Sequence, residues 1–430
     1  MCLQLEEVAL NKAFLLQGGD CAELFAYSSQ ESIQAKLKVL LQMSLVLTWG
    51  AGLPIVRILR GAGQYAKQSN QSQECAKFRP RSSPTEFVDG THIPSFRGDN
   101  VNGFDISERE PNPSRLVDAY FHSAATLNYI RALLSSGFAD LHHPDEWSLS
   151  HVAPGQMKLE YQSIVYSLLD ALRFMNMIGA DNHQAISSVD LFTSHEALIL
   201  EYEQSLTRKL VDPRDGSLKF WNTSAHFVWI GDRTRDLEGA HLEYIRGIEN
   251  PVGIKVGPSM DPEILINVMD FVNPRKEPGK VTLISRYGSK KISEKLPDHI
   301  RAVQKSGHEV IWACDPMHGN TKQSQGGVKT RHFVDIVEEL SRSIQIHKEL
   351  GSNLNGVHFE LTGDAVTECI GGSMDLKDED LGDRYESFCD PRLNNFQSLD
   401  IAFLIANYHR NEREGEDYAQ TMMRNLGFQS

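Results

Sequence analysis

Between residues 253 and 315 the sequence reads GIKVG (253–257), then VTLISR (281–286), then EVIWACD (309–315). Each is a short, nearly continuous apolar run that closes on Gly or an ionisable residue. Helix-like patterns separate them. Strands of that composition belong to a parallel sheet covered on both faces, because neither face alternates with polar residues. Working outward, the same unit recurs as HFVWIG (226–231), VDLFTSH (189–195), PIVRILR (54–60) and AFLLQGG (13–19), and downstream as GVHFELTG (356–363). That makes eight strands. Eight β/α units predict a closed (β/α)8 TIM barrel of class α/β, with an open doubly wound sheet as the second architecture.

The spacing is uneven. From Arg60 to Val189 the chain is far longer than one crossover helix requires. Two apolar stripes fill part of that gap: Leu116, Tyr120, Ala124, Leu127 and Leu134, then Val165, Leu168, Leu169, Leu172 and Met175. They predict a helical pair inserted between the second and third strands, over about 104–185, packing in the core or between subunits. A last helix near 397–410 would close the barrel, so 1–430 reads as one barrel domain. Val39 to Val56 carries no charge, but Gly50, Gly52 and Pro54 break it into a helix, a turn and a strand, which excludes a membrane span.

Composition narrows the function. With 43 Lys+Arg against 57 Asp+Glu the formal charge is −14, which argues against nucleic acid as a partner. The six Cys are irregularly spaced and fit reduced thiols rather than a disulfide framework. The opening MCLQLEEVALNKAF has early acids and no cleavage signature, so a cytoplasmic protein is expected.

In a barrel of this kind the reactive groups sit at the C-terminal strand ends. Read in order, those ends deliver Asp20 and Cys21, Arg60, His195 and Glu196, Asp232 and Arg233, Lys255, Arg286, Asp315 and His318, and Glu360. Arg60, Arg233, Lys255 and Arg286 are cations converging in an acidic protein, which points to an anionic small substrate; individual salt bridges are the alternative. Cys21, His318, Glu360 and Asp390 follow the first, seventh and eighth strands, and the eighth neighbours the first in a closed barrel. Sulfur, nitrogen and two carboxylates there suit Mn, Co, Fe or Zn better than Mg or Ca.

Several blocks carry a resemblance: FLLQGGDCAE (14–23), RGAGQYAK (60–67), SFRGDNVNG (95–103), TSHEALILEYEQSLTR (193–208), WIGDRTRDLEGAH (229–241), NPVGIKVGP (250–258), LISRYG (283–288), CDPMHGNT (314–321), VTECIGG (366–372) and RYESFCDPRLN (384–394). In this order the chain resembles the class II 3-deoxy-D-arabino-heptulosonate 7-phosphate (DAHP) synthases. The resemblance implies a transferase that condenses phosphoenolpyruvate with erythrose 4-phosphate on a divalent metal, Mn first, at the head of the shikimate pathway. It implies Cys21, His318, Glu360 and Asp390 as metal ligands and Arg60, Arg233, Lys255 and Arg286 around phosphoenolpyruvate. Lys67, Arg81, Ser82 and Asp232 would help bind substrate, with Arg233 shared by the sugar phosphate. Lys255 and His318 would be catalytic, and Glu196 would orient a water. A homo-oligomer, dimer or tetramer, is implied too.

Four departures stand out. The first strand is expected only about a dozen residues into the sequence, where family members usually carry an N-terminal extension, so a shortened extension is expected. AKPRS is split, with Gln68 to Arg79 between Lys67 and Pro80. The usual GERT reads Gly231, Asp232, Arg233, Thr234. Arg97 of RGDN is intact without an assigned partner. Two rival functions follow: a secondary-metabolism paralogue that uses an amino-sugar analogue, and a catalytically weakened subunit kept for binding or assembly.

Overall fold

The computed structural model describes residues 1–66, 85–88, 90–138, 162–164, 166, 170 and 189–414. Eight parallel strands close into a barrel: β1 (Phe14–Gly19), β2 (Ile55–Arg60), β3 (Phe192–Glu196), β4 (Phe227–Ile230), β5 (Val252–Val256), β6 (Val281–Ser285), β7 (Ile311–Cys314) and β8 (Gly356–Glu360). They neighbour one another in chain order and β8 returns to β1, so no edge is left unpaired. All eight coincide with the apolar runs of the sequence. The register opposes Gly19 both to Arg60 of β2 and to Glu360 of β8. Three strand ends therefore finish level, and the seam of the barrel becomes a platform.

The first helix, α1 (Cys2–Ala9), closes the opposite end. Leu5 and Val8 are buried among Leu15, Ile58, Phe227, Ile284 and Ile311, and the side-chain amide of Asn355 donates to the Val8 carbonyl (3.1 Å). This end of the interior is lined mainly by apolar side chains.

The uncharged stretch at Val39–Val56 resolves as expected into the end of helix α2 (Gln30–Ala51) and the start of β2. Ser29 caps α2 by accepting the Ser32 N–H (3.2 Å), and Gly52 ends it in a left-handed conformation (φ 64°). No helix among the described residues is long and apolar enough to cross a membrane. Outside the barrel α2 packs on the last helix, here called α8 (Asn395–Glu414), with Gly50 directly against Ala406.

Between β2 and β3 the structure contains helix α3 (Arg115–Ser135), the first half of the expected insertion. The second stripe, at 165–175, falls largely outside the described residues. The buried face of α3 differs from the expected stripe: Ala119, Ser123, Thr126 and Ile130 are buried, whereas Tyr120 and Ala124 are exposed. The reason is polar. Ser123 Oγ donates to the Ala62 carbonyl (2.6 Å), and Thr126 Oγ1 donates to Ser28 Oγ (3.2 Å), so hydroxyl side chains tie α3 to the rim. Among the described residues, the longer of the other helices are α4 (Ala240–Arg246), α5 (Pro262–Val272), α6 (Ile292–Ser306) and α7 (Phe333–Glu349). Three antiparallel hairpins, Thr85–Pro94, Thr207–Asn222 and Thr321–Arg331, decorate the strand connections.

The contact of α2 with α8 yields the first prediction. A Cβ at Gly50 would overlap both the backbone and the side chain of Ala406. Gly50→Ala should therefore force the helices apart and destabilise the fold by about 1–3 kcal/mol, despite alanine's better helix propensity. Urea unfolding of the two proteins checks it; an equally or more stable variant would show that the helices part freely.

Candidate active site

At the platform the barrel interior turns polar. Gln17, Ser194 and His358 are fully buried and joined in one relay. Ser194 Oγ donates to the Leu59 carbonyl (3.1 Å) and accepts from Gln17 Nε2 (2.9 Å), while Gln17 Oε1 stands 2.7 Å from His358 Nδ1. Burial, then the charges of Lys255 and Arg60, keep His358 well below the usual imidazole pKa. A neutral ring can carry its proton on Nδ1 toward Gln17 and accept from Arg60 Nη1 at Nε2 (2.7 Å). The relay thus orients Arg60 from within the barrel. Arg60 also donates to the Asp20 carbonyl (3.1 Å) and to Glu360 Oε1 (3.1 Å), with its guanidinium over the Trp229 ring.

Four ionised or ionisable groups then follow in contact. Lys255 Nζ donates to Asp315 Oδ2. The same oxygen is 2.7 Å from His318 Nδ1, and His318 Nε2 stands 3.0 Å from Glu360 Oε1. Burial alone would raise the Asp315 carboxyl, but His318 and Lys255 beside it hold it well below the usual carboxylate range. Lys255 is pulled the other way. Burial pushes its pKa down to about 8, with Asp315 working against the shift. Its charge is held in place by one carboxylate, with the positive charges of Arg60 and Arg286 nearby.

His318, Glu360 and Asp390 each present one donor atom, and these atoms lie within 4.8 Å of one another. An imidazole and two carboxylates at that separation fit a shared divalent ion, whose bonds to such donors are about 2.0–2.2 Å. Cys21 is buried beside them and accepts the Asp390 N–H at its sulfur (3.0 Å), so the fourth expected ligand is on the same wedge. The loop that carries Asp390 is pinned by Glu368, whose carboxylate accepts the N–H groups of Ser387 (2.8 Å) and Arg392 (2.7 Å). Arg392 in turn bridges Glu368 and Asp20 (2.8 Å each), and Lys36 reaches Asp20 at 2.5 Å. This buried network holds the two chain segments that bear Cys21 and Asp390.

The other expected residues are placed as follows. Arg286 reaches the His318 carbonyl (3.2 Å) and Asp232 (3.4 Å). Asp232 also pairs with Arg235 (2.8 Å), so among the described residues it anchors arginines. Arg233 is exposed at the rim. The Glu196 backbone N–H donates to Gln64 Oε1 (2.8 Å), and the loop after β2 is gathered by Glu23, which accepts the N–H groups of Ala62, Gly63 and Gln64 (2.9–3.0 Å). Lys67, Arg81 and Ser82 lie outside the described residues, as does the segment that splits them. Sequence reasoning missed Lys329, Arg331, Glu368, Arg392 and His358. His358 lies inside the apolar run of β8 and not at its end, and VKTRH (328–332) belongs to a polar strand connection in which no apolar run ends to mark its cations.

Residues 1–406 match the class-II DAHP synthetase family. The chain is 54% identical over 425 residues to the phospho-2-dehydro-3-deoxyheptonate aldolase of Neurospora crassa, covering 96% of this chain and 86% of that one. It is 46% identical over 406 residues to the aldolase of that name in Mycolicibacterium smegmatis (94% and 84% covered) and 46% identical over 411 residues to that of Streptomyces coelicolor (95% and 88%). The chain therefore belongs to the class-II DAHP synthetase family. The family expectation raised by the motifs holds across the barrel, and the relatives' shared name is that of a DAHP synthase.

Asp315 carries two partners at once, so its loss would reach both Lys255 and His318. Asp315→Asn should leave Lys255 as a buried, uncompensated ammonium and destabilise the protein by about 3–5 kcal/mol, the range for breaking a buried pair. Denaturant unfolding at pH 7 measures it; a loss within 1 kcal/mol of zero would mean that Lys255 is already neutral there.

Proposed function

We propose that this chain condenses phosphoenolpyruvate with D-erythrose 4-phosphate to give DAHP and inorganic phosphate, the first step of the shikimate pathway to aromatic amino acids. One observation carries the reading of the site: an unbroken line of contacts, Lys255–Asp315–His318–Glu360–Arg60, joins a cation cluster to a cluster of metal-type donors. A substrate with a carboxylate, a phosphate and a carbonyl partner needs both within one small site.

In this reading Arg60, Lys255 and Arg286 hold the carboxylate and phosphate of phosphoenolpyruvate, and Arg233 with Lys67, Arg81 and Ser82 holds the sugar phosphate. Two anions must be brought face to face, and preorganised cations offset their repulsion without reorganising during reaction. Carbon three of phosphoenolpyruvate forms the new bond to the aldehyde carbon. Water, oriented by Glu196, adds at carbon two, and the carbon–oxygen bond to phosphate then breaks. Cys21, His318, Glu360 and Asp390 would hold the divalent ion, which supplies polarisation of the aldehyde oxygen. Mn is the proposed ion, and Co, Fe and Zn suit the same donors. His318, tied by Nδ1 to Asp315, keeps its other nitrogen turned to the metal side. Asp232 acts by holding Arg286. We further assign the chain to a single barrel domain in a cytoplasmic homo-oligomer, on the family likeness.

The direct test is phosphate release with both substrates. Activity should vanish on chelation and return with Mn, and His318→Ala should lose bound metal together with rate. Full metal occupancy in that variant would remove His318 from the ligand set. Activity on an amino-sugar analogue alone would favour the secondary-metabolism paralogue, and metal-loaded protein with no turnover the assembly subunit.

A pH profile gives a second test. Lys255 titrates at about 8 in the free protein, so below that pH it is an ammonium and above it a neutral amine. The kcat/KM for phosphoenolpyruvate, which reports free-enzyme groups, should therefore fall as pH rises through about 8. Lys255→Arg should abolish that inflection even at reduced rate. An inflection that persists unchanged in the arginine variant would assign it elsewhere.

A further inference from the structure

The hairpin after β7 pairs Thr321–Gln323 with Lys329–Arg331 and sets Thr321 opposite Arg331. Lys329 and Arg331 are two residues apart on one strand, so their side chains leave the same face. That face meets the two carboxylates of the metal-type cluster. Arg331 is wholly buried: Nη2 is 2.8 Å from Glu360 Oε2, Nη1 donates to the Pro391 carbonyl, and Nε donates to Thr321 Oγ1 (3.2 Å). Lys329 is partly exposed, with Nζ 3.0 Å from Asp390 Oδ1 and its own carbonyl accepting the Tyr385 hydroxyl (2.9 Å).

We infer that this strand sets the affinity of the metal site through two contacts of opposite effect: Arg331 positions the carboxylate ligands, and Lys329 competes with the metal for Asp390. The inference rests on the reading of His318, Glu360 and Asp390 as ligands. Arg331 has the planar fork needed to touch one ligand and the backbone beside the other, since Pro391 directly follows Asp390. It therefore fixes the separation of the two carboxylates. It uses Glu360 Oε2, and Oε1 remains turned to His318. A rigid, buried, always-charged group suits that task. Lys329 is different in kind. Its ammonium is a point charge on a flexible stem, seated on an oxygen of Asp390 that a dication would also attract. Metal entry must weaken that contact, because two like charges cannot share the carboxylate without repulsion. Arg331 is a positioning residue and Lys329 a tuning one; neither is assigned a chemical step.

The experiment is calorimetric titration of Mn into the metal-free full chain without substrates, with thermal unfolding run alongside to confirm folding. Wild-type binding that His318→Ala weakens is the prerequisite; if Mn does not bind in a His318-dependent way, the metal reading itself falls and the inference with it. Given that binding, Arg331→Gln should weaken it by about 10–100-fold, the usual effect of losing a ligand-orienting partner. Arg331→Lys, which keeps the charge but cannot span both contacts, should weaken it as well, and it decides the matter where the glutamine variant does not fold. Lys329→Met should tighten Mn by about fivefold, in line with removing one partly exposed charge contact. Unchanged affinity in the folded Arg331 variants would overturn the positioning role. Weaker binding in Lys329→Met would overturn the competition.

Discussion

Everything at the rim answers to one buried carboxylate. Glu360 ends β8 opposite Gly19 of β1, where the barrel closes, and it has no exposure to water. An isolated carboxylate could not remain ionised there, so the surrounding chain has to bring charge to it. It does so from three directions: Arg60 from β2, His318 from the loop after β7 and Arg331 from the hairpin beyond. Each of those groups must then be satisfied in its turn, and the obligations spread outward. Arg60 calls for His358 and Gln17, and His318 calls for Asp315 and through it Lys255. A site of this kind is specified by its electrostatic debts as much as by its shape.

That view explains why the polar layer lies where it does. The end of the barrel plugged by α1 is lined by apolar side chains, and the hydrogen-bonded polar relay of Gln17, Ser194 and His358 gathers toward the other end. His358 illustrates the constraint. Protonated, it would add a further buried cation beside Arg60 and Lys255; neutral, it accepts from one and relays to Gln17. Burial first, and then the crowded cations, keep this imidazole well below its usual pKa.

Eight apolar runs closing on Gly or charge gave away the barrel, because a parallel sheet buried on both faces leaves no room for polar interruptions until the strand ends. The same rule exposed Arg60, Lys255, Asp315 and Glu360, which sit where the run stops. It failed for groups carried by connections. Lys329 and Arg331 lie on a hairpin in a polar stretch that looks like ordinary surface, and Arg331 is nonetheless fully buried. Arg392 and Glu368 have no periodicity at all; only the fold brings them to Asp20. The misjudged face of α3 has a related cause. A hydrophobic stripe marks burial only where the neighbour is apolar, and α3 lies on the backbone of the Ala62 loop, to which Ser123 donates.

The loops after β6 and β7 show how precision is obtained where no strand supplies it. Arg286 and His318 both lie beyond their strands, yet their relative position is fixed. Glu339 of α7, fully buried, accepts the N–H groups of Tyr287 (2.7 Å) and Gly288 (2.9 Å) with one oxygen and the side-chain amide of Asn320 (2.7 Å) with the other. One helix carboxylate therefore ties the residues just after Arg286 to those just after His318. Backbone closeness completes the tie, since Gly288 adopts a left-handed conformation (φ 82°) against Gly319, where a side chain at either position would intrude. Burial pushes the Glu339 carboxyl up to about 8, against the pull of its three donors, so among the described residues this clamp is held by hydrogen bonds and not by an ion pair. A catalytic constellation needs its members placed to within a fraction of an ångström. Here that placement comes from a helix on the outside of the barrel, which sets Arg286 and His318 in one register.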